Sequence, residues 1–519
     1  MKRPILFLAV LSFTLAAQGI HAYRSSLQQP QIATGYVFHD ANNNGRRDSG
    51  ERGLAGIKVS NQEDIVVTDR DGRYRLPVTD DTILFVVKPK GWRTPISEKM
   101  LPQFFYIHKP QGSRPVRYRG VPPTGPLPGS IDFPLYPQRE PRVFKALMFG
   151  DTQPRNQQEV DWLAHDVIAE AIGTNASFGV TLGDIVFDNL DVFDGMINAI
   201  ALIGIPWYNV LGNHDINLDS PDDQDSDETF HRHFGPNYYS FDYGSVHFMV
   251  LDDVNWTGQN YNGAFGPKQM RWIKNDLSMI PKNQLVVLMM HIPLVNVNDR
   301  QELYRIIEQR PFALSISAHT HYQEHRFITK EDGWQGIEPH HHIINVTTCG
   351  SWWSGVPDEN GIPHTTMRDG APNGYAIMTF DGTKYDWEFK AARRPKSHQM
   401  NIWMPETVAS TETANTEVVA NVFGGSIKSK VEMSVDNGNT WTPMEKKDME
   451  DPFYKAMKAI EEGPIPPPGR KLPAIIKSPH IWAARLPANM SPGIKRIRVR
   501  TTDMFGKKYE DHRSIRITR

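Results

Sequence analysis

Disulfides, membrane spans and basic tracts are what this sequence goes without. Among 519 residues there is one cysteine, Cys349, so no internal disulfide can form. Cellular location must then be argued from other signals. No lipidation cysteine accompanies the N-terminal apolar stretch, and beyond that stretch no apolar run is long enough to span a bilayer as a helix. The formal net charge is only -2 and no basic run stands out, which argues against nucleic acid held on a charged surface. No repeat of solenoid type is visible.

What is present is ordinary globular composition, 39% hydrophobic and 22% charged, in a chain long enough for several cores. Lys2 and Arg3 precede an apolar stretch from Ile5 to Ala17, and the small residues Gly19 and Ala22 follow. That is the layout of a secretory signal, predicted over 1–22, and it implies an exported chain, periplasmic or secreted, with no transmembrane segment after its removal.

Three textures follow. Residues 31–137 carry short alternating runs such as Ile57-Lys58-Val59 and Arg73-Tyr74-Arg75-Leu76, broken by turn residues from Asp69 to Gly72. This predicts a small β-sandwich. It ends in a proline-rich stretch, Pro122 to Pro141, read as an extended spacer. Over 142–393, apolar strands alternate with helical periodicity. The best helix is Gln157–Ile172, with Val160, Leu163, Val167, Ile168 and Ala171 on one face. That is an α/β layered core. Over 395–519 the β-pattern returns and predicts an Ig-like sandwich, interrupted by a polar, proline-rich insertion from Gly463 to Pro473 read as an exposed loop.

Five short motifs lie in the middle region, each just after an apolar strand: Gly150-Asp151-Thr152-Gln153, Gly183-Asp184, Gly212-Asn213-His214-Asp215, His291-Ile292-Pro293 and His319-Thr320-His321. Each alone is weak. Together they put hard and borderline ligand groups at strand C-termini, the edge where open α/β sheets place their sites. The residue types suit two divalent cations about 3.5–4 Å apart, which need a bridging carboxylate and several O or N ligands. Asp184 is the natural bridge. Asp151 and Gln153 can reach one metal together, because one intervening residue leaves both side chains on the same side of an extended turn. His319 and His321 share that spacing and could feed different metals. Asn213 supplies a carbonyl oxygen and His291 an imidazole.

This ordered set resembles the calcineurin-like metallophosphoesterase superfamily, whose motifs run Asp-x-His, Gly-Asp-x-x-Asp, Gly-Asn-His-Asp, Gly-His and Gly-His-x-His. The resemblance implies an α/β fold: a four-layer metallophosphoesterase β-sandwich core flanked by helices, with β-sandwich domains at both ends. It implies a phosphoesterase acting on a small phosphorylated substrate, monoester or diester, through a hydroxide activated by two divalent ions (Mn, Mg, Fe or Zn). One metal would take Asp151, Gln153, Asp184 and His321, and the other Asp184, Asn213, His291 and His319. His214 resembles the family's non-ligand histidine, which binds phosphate or protonates the leaving group, with Asp215 orienting it. The chain departs from the pattern in four places. Gln153 replaces a histidine with a weaker, harder donor. Asp188 follows Asp184 by four positions where the family has three, which leaves its role in doubt. Met290 and Ala318 replace glycines, which bears on packing more than ligation. A catalytically weak metal-binding surface protein is the reading from another class, motivated by Gln153.

Two further signals stand apart. Asp40, Asn42, Asn44, Arg46, Asp48 and Glu51, with Gly45, fit the spacing of a calcium loop, on flanks that read as strands. Calcium there would stabilise the N-terminal domain. Trp352, Trp353, His364, Asp369, Asn373 and Tyr375 fall in a long polar-aromatic loop that could wall the substrate site, and His340-His341-His342 reads as a strand edge.

Overall fold

The computed structural model describes residues 30–519, and the expected signal, 1–22, lies outside the described residues. The N-terminal part is a sandwich of two four-stranded sheets. In one, Arg73–Val78, Gln31–His39, Phe133–Pro137 and Trp92–Arg93 lie side by side, and in the other Ile65–Val67, Lys58–Ser60, Thr82–Val86 and Phe105–His108. Strand Arg73–Val78 shows why it folds so: Tyr74, Leu76 and Val78 point inward while the alternate residues face solvent. The proline-rich stretch is not all spacer. Its Phe133–Pro137 segment pairs in parallel with Gln31–His39, setting Phe133 and Leu135 into the sandwich core. Two buried side chains outweigh the ladder bonds that Pro134 and Pro137 cannot donate.

The middle region packs a five-stranded sheet against a six-stranded one. The first runs Trp207–Val210, Phe178–Leu182, Val143–Phe149, Gly374–Asp381, Lys384–Ala391. The second runs Tyr239–Tyr243, Val246–Val250, Leu285–Met289, Ala313–Ser317, His340–Ile344, Glu324–Ile328. Strands such as Leu285–Met289 are buried throughout, hence their unbroken apolar sequence. Helices lie outside. The expected long helix starts at Gln157, with Asn156 Oδ1 accepting from Glu159 N at 3.1 Å. It then widens into a π-turn at Ala164–Ile168, which brings Asp166 inward against Asn373, 2.6 Å away. The triple histidine is a correction. His340–Ile344 lies inside the sheet, not at its edge, and all three rings are buried on Ser315, Ser317, His325 and Tyr385.

The N-terminal sandwich and the middle region share one apolar core. Phe85 meets Trp272 at a ring separation of 6.2 Å, Phe104 meets Tyr239 at 4.9 Å, and Trp272 Nε1 donates to Ser60 Oγ at 3.1 Å. The C-terminal part is a second sandwich, of four and five strands, with its own core around Trp482, Val499 and Ile515. Helix Pro452–Glu461, which sequence periodicity did not single out, precedes the proline-rich insertion. No helix among the described residues is long and apolar enough to cross a membrane.

Candidate active site

The five motifs occupy the loops that leave Val143–Phe149, Phe178–Leu182, Trp207–Val210, Leu285–Met289 and Ala313–Ser317. These loops turn sharply. Asp151, Gln153, Asp184, Asp188, His319 and His321 all take positive φ, between 31° and 72°. Each such residue costs about 1–3 kcal/mol, which the surrounding packing must supply. Two glycines make the approach possible. A Cβ on Gly212 would lie 1.9 Å from Asp184 N, and one on Gly183 would lie 2.5 Å from the His291 ring.

The side chains converge. His291 Nε2 is 3.2 Å from Asp184 Oδ1, 3.1 Å from Asn213 Oδ1 and 3.1 Å from His319 Nδ1. Its other nitrogen, Nδ1, donates to Leu182 O at 2.9 Å. With the proton held there, the Nε2 lone pair faces an amide oxygen, a carboxylate and a second imidazole. Lone pairs converging on one point are what a divalent cation needs, so the residues present fit one. His321 is oriented the same way, with Nδ1 on Gly350 O at 2.6 Å and Nε2 3.7 Å from Asp151 Oδ1. Asp184, His291 and His319 bring ligand atoms within 4.8 Å of one another. Electrostatics show that the cluster draws positive charge to this point. Burial works against charge on His291, yet Asp184 holds its pKa far above the usual range, at about 10, so a cation bound here would take the place of a proton on Nε2. Burial pushes Asp184 up, and the His291 and His214 charges more than reverse it. Asp151, buried with Asp184 close by, is pushed up.

Gln153 is placed differently from the other expected ligands. Its Nε2 donates to Asp184 Oδ2 at 2.7 Å, and its Oε1 faces Cys349 Sγ at 3.6 Å. In this rotamer the amide is a donor, and ligation through Oε1 calls for the amide turned over.

The expected pairing of Asp215 with His214 needs correction. Asp215 is fully buried and accepts three backbone N–H groups, from Ile185 at 3.1 Å, Val186 at 3.0 Å and Gly212 at 2.9 Å. It staples two motif loops together and makes no hydrogen bond to the His214 ring. Asp188 takes the orienting position, Oδ1 to His214 Nδ1 at 2.6 Å. The left-handed turn at Asp188 absorbs the extra residue of spacing. Burial opposes charge on His214, and Asp184 and Asp188 together raise its pKa.

Sequence reasoning missed two more groups. Cys349, noted only for disulfides, is buried with Sγ 3.9 Å from His321 Nδ1. Asp253 accepts from His291 N at 3.2 Å and Ile292 N at 3.1 Å, fixing the loop that carries His291. Cys349 follows strand His340–Ile344, and Asp253 follows strand Val246–Val250. A polar residue just past a buried strand was the available signal.

Of the expected substrate wall, Trp352 stacks on His321 at 3.8 Å and 23°. Trp353 is buried, its Nε1 donating to Thr152 O at 3.0 Å. The others lie elsewhere. Asp369 holds His480 at 2.9 Å, Asn373 holds Asp166, and Tyr375 packs on Phe149. His364 faces a cavity of about 690 Å³ bordered by Arg393, His398 and Phe453. In the calcium-type loop, Asp40 is buried and accepts from Tyr136 OH at 2.8 Å. Asn42 and Asn44 both donate to Asp48 Oδ2, Arg46 N donates to Asn44 Oδ1, and Glu51 accepts from Ala41 N and Asp48 N. A third acidic cluster, Asp227, Glu228 and His231, already holds a cation: Lys109 bonds Glu228, and lies 2.7 Å from Asp81.

Three family matches run in tandem along the chain. Residues 41–118 match the N terminal of Calcineurin-like phosphoesterase, 144–323 match Calcineurin-like phosphoesterase, and 342–509 match the C terminal of Calcineurin-like phosphoesterase. The central match contains every residue from Asp151 to His321. The chain belongs to the calcineurin-like phosphoesterases, with a metallophosphoesterase α/β core and β-rich accessory domains at both ends. Among solved structures it is similar to that of PhoD, at 10% identity over 69% of this chain and 85% of that one, with a TM-score of 0.36. It is also similar to purple acid phosphatase PPD1 from yellow lupin (Lupinus luteus) seeds, at 12% identity over 70% and 67%, with a TM-score of 0.35. Among curated proteins no sequence matches.

Proposed function

We propose that this phosphoesterase hydrolyses its ester at a binuclear divalent-metal site, and that it does so outside the cytoplasm. The observation that carries the first part is the convergence of Asp184, Asn213, His291 and His319 lone pairs around His291 Nε2. Asp151, Gln153, Asp184 and His321 would hold one ion, and Asp184, Asn213, His291 and His319 the other. Bound there, the ions supply Lewis-acid activation of water and neutralisation of charge on phosphorus. The chain's own residues do the rest. His214, at the rim and held by Asp188, donates a proton to the departing oxygen, and its charge favours the phosphoryl group. Asp215 and Asp253 keep the ligand loops in place. The export reading is supported by the N-terminal segment, with its basic start, apolar run and small residues. We extend the proposal to Ca²⁺ in the Asp40–Glu51 loop, on ligand spacing alone.

The test is hydrolysis of p-nitrophenyl phosphate and bis-p-nitrophenyl phosphate by metal-stripped protein, with Mn²⁺, Mg²⁺, Fe²⁺ or Zn²⁺ restored singly. Metal-dependent turnover, lost in Asn213→Ala and His214→Ala, is the expected result. Folded, metal-loaded protein that turns over neither ester would favour the second reading, a metal-binding protein with weak catalysis. The donor orientation of Gln153 is the observation behind that reading.

A further inference from the structure

The polar insertion of the C-terminal domain is largely exposed, as expected, and its end docks beside the active site. Arg470 O accepts from Gly355 N at 2.7 Å, and a Cβ on Gly469 would lie 2.7 Å from Gly355 O. This brings the Arg470 guanidinium to Trp352 O, 2.6 Å from Nη1, and to Glu159 Oε1, 2.9 Å from Nη2. Arg155 arrives at the same two groups from the catalytic domain. Its Nη1 is 3.2 Å from Trp352 O and 3.4 Å from Glu159 Oε2.

Arg155 also spans the mouth of the site. Its guanidinium lies 4.0 Å over Phe187, and Phe187 stacks on His214 at 4.3 Å and 20°. On the other side, the Trp352 whose carbonyl both arginines share stacks on His321. Two guanidinium groups therefore meet one buried carboxylate, next to the aromatic plates that flank the ligand cluster. Arg470 keeps 44% of its side chain exposed, and Arg155 keeps 26%. Among the described residues Arg155 bonds through Nη1 alone, so its other N–H groups have no partner on the protein side. The local charge is positive in excess, and the unused donors are planar and paired, the arrangement that suits carboxylate or phosphate oxygens.

We propose that Arg155 and Arg470 form a second anion subsite, selecting phosphoesters that carry a further carboxylate or phosphate besides the scissile group. The inference rests on the hydrolytic reading above. It makes the C-terminal domain part of the substrate site, since one of the two arginines comes from that domain.

The test compares three aryl esters on metal-loaded full-length protein: 4-carboxyphenyl phosphate, its methyl ester, and 1,4-phenylene bisphosphate. Wild type should favour the charged probes over the methyl ester in kcat/KM by about 10- to 100-fold, the range of a charge-assisted contact. The carboxylate and phosphate arms show which group is preferred. Arg470→Ala and Arg155→Ala should each shrink that ratio about tenfold or more, Arg470→Lys should shrink it less, and added salt should lower it in wild type. An equal preference for all three esters in wild type overturns the proposal. So does a ratio unchanged in both alanine variants, or a loss in Arg470→Ala that falls on every ester alike, which would make Arg470 a prop for Trp352. If no ester turns over, the hydrolytic reading falls, and calorimetric binding of the same three compounds still decides the anion preference.

Discussion

Asp188 Oδ1 lies 2.6 Å from His214 Nδ1, and this contact assigns the orienting carboxylate of the site. The neighbouring Asp215 spends its oxygens on three backbone N–H groups instead. Two acids beside the same histidine thus do different work, and substitutions should separate them.

Asp188→Ala should lower kcat by about 10- to 100-fold for esters with poor leaving groups, and less for p-nitrophenyl phosphate, whose leaving group departs without a proton. Proton transfer by a placed side chain contributes about 10²- to 10⁴-fold, and Asp188 supports only part of it. Rates for p-nitrophenyl and alkyl phosphates, measured side by side, check this. Equal losses on both would mean His214 does not protonate the leaving oxygen.

Asp215→Ala should act on stability first. It strands three buried N–H donors at about 1–3 kcal/mol each before relaxation, so a net loss of about 3–5 kcal/mol is expected. Urea titration of metal-free protein reads it directly, and Asp188→Ala, at a half-exposed site, should lose less than about 1 kcal/mol there.

Stability should peak between weakly acid and neutral pH. His247 is fully buried between Asp242 at 2.8 Å and Asp276 at 3.0 Å, with Lys58 2.9 Å from Asp276. Burial favours neutral forms here, but the opposite charges prevail: His247 is raised, and both aspartates are lowered. The aspartates' contribution is present above their ordinary range near 3.8 and is lost as pH falls through the lowered values. His231, also buried, lies 3.2 Å from Asp227, and Asp227's charge outweighs burial to lift it to about 9. That contribution is complete below 6.5 and is lost as pH rises through about 9. Urea midpoints from pH 2 to 10 should show both limbs, and His231→Gln should flatten the alkaline one.

Chelation should lower the melting temperature reversibly. An ion bound only by the folded state stabilises by RT ln(1 + [L]/Kd), about 2.7 kcal/mol at a hundredfold excess over Kd. Thermal melts with and without restored metal test this. Asn213→Ala should shrink the metal-induced rise, whereas Cys349→Ala should leave most of it.

The candidate ligand set was legible in the sequence because each member follows a buried strand, and within each of the two packed sheets these parallel strands end on the same side. The alternation in Arg73–Val78 and the inward face of the helix from Gln157 were legible for the same local reason. The role of Asp188 was not. Its fit depends on a left-handed turn that takes up one extra residue, and nothing in the residue types announces that turn. The amide orientation of Gln153 was equally hidden, since it is set by Asp184 and Cys349, 31 and 196 positions away.

By itself, then, the sequence determined which residues end the core strands and hence which chemistry they bring, because strand period and burial are local properties of the chain. Tertiary structure decided how those residues divide their work. Asp215 became a staple, Asp188 a partner to His214, and Arg470 a neighbour of Arg155 across 314 intervening positions. Hydrogen bonds and ion pairs act over a few ångströms, and only the folded chain brings such distant groups that close.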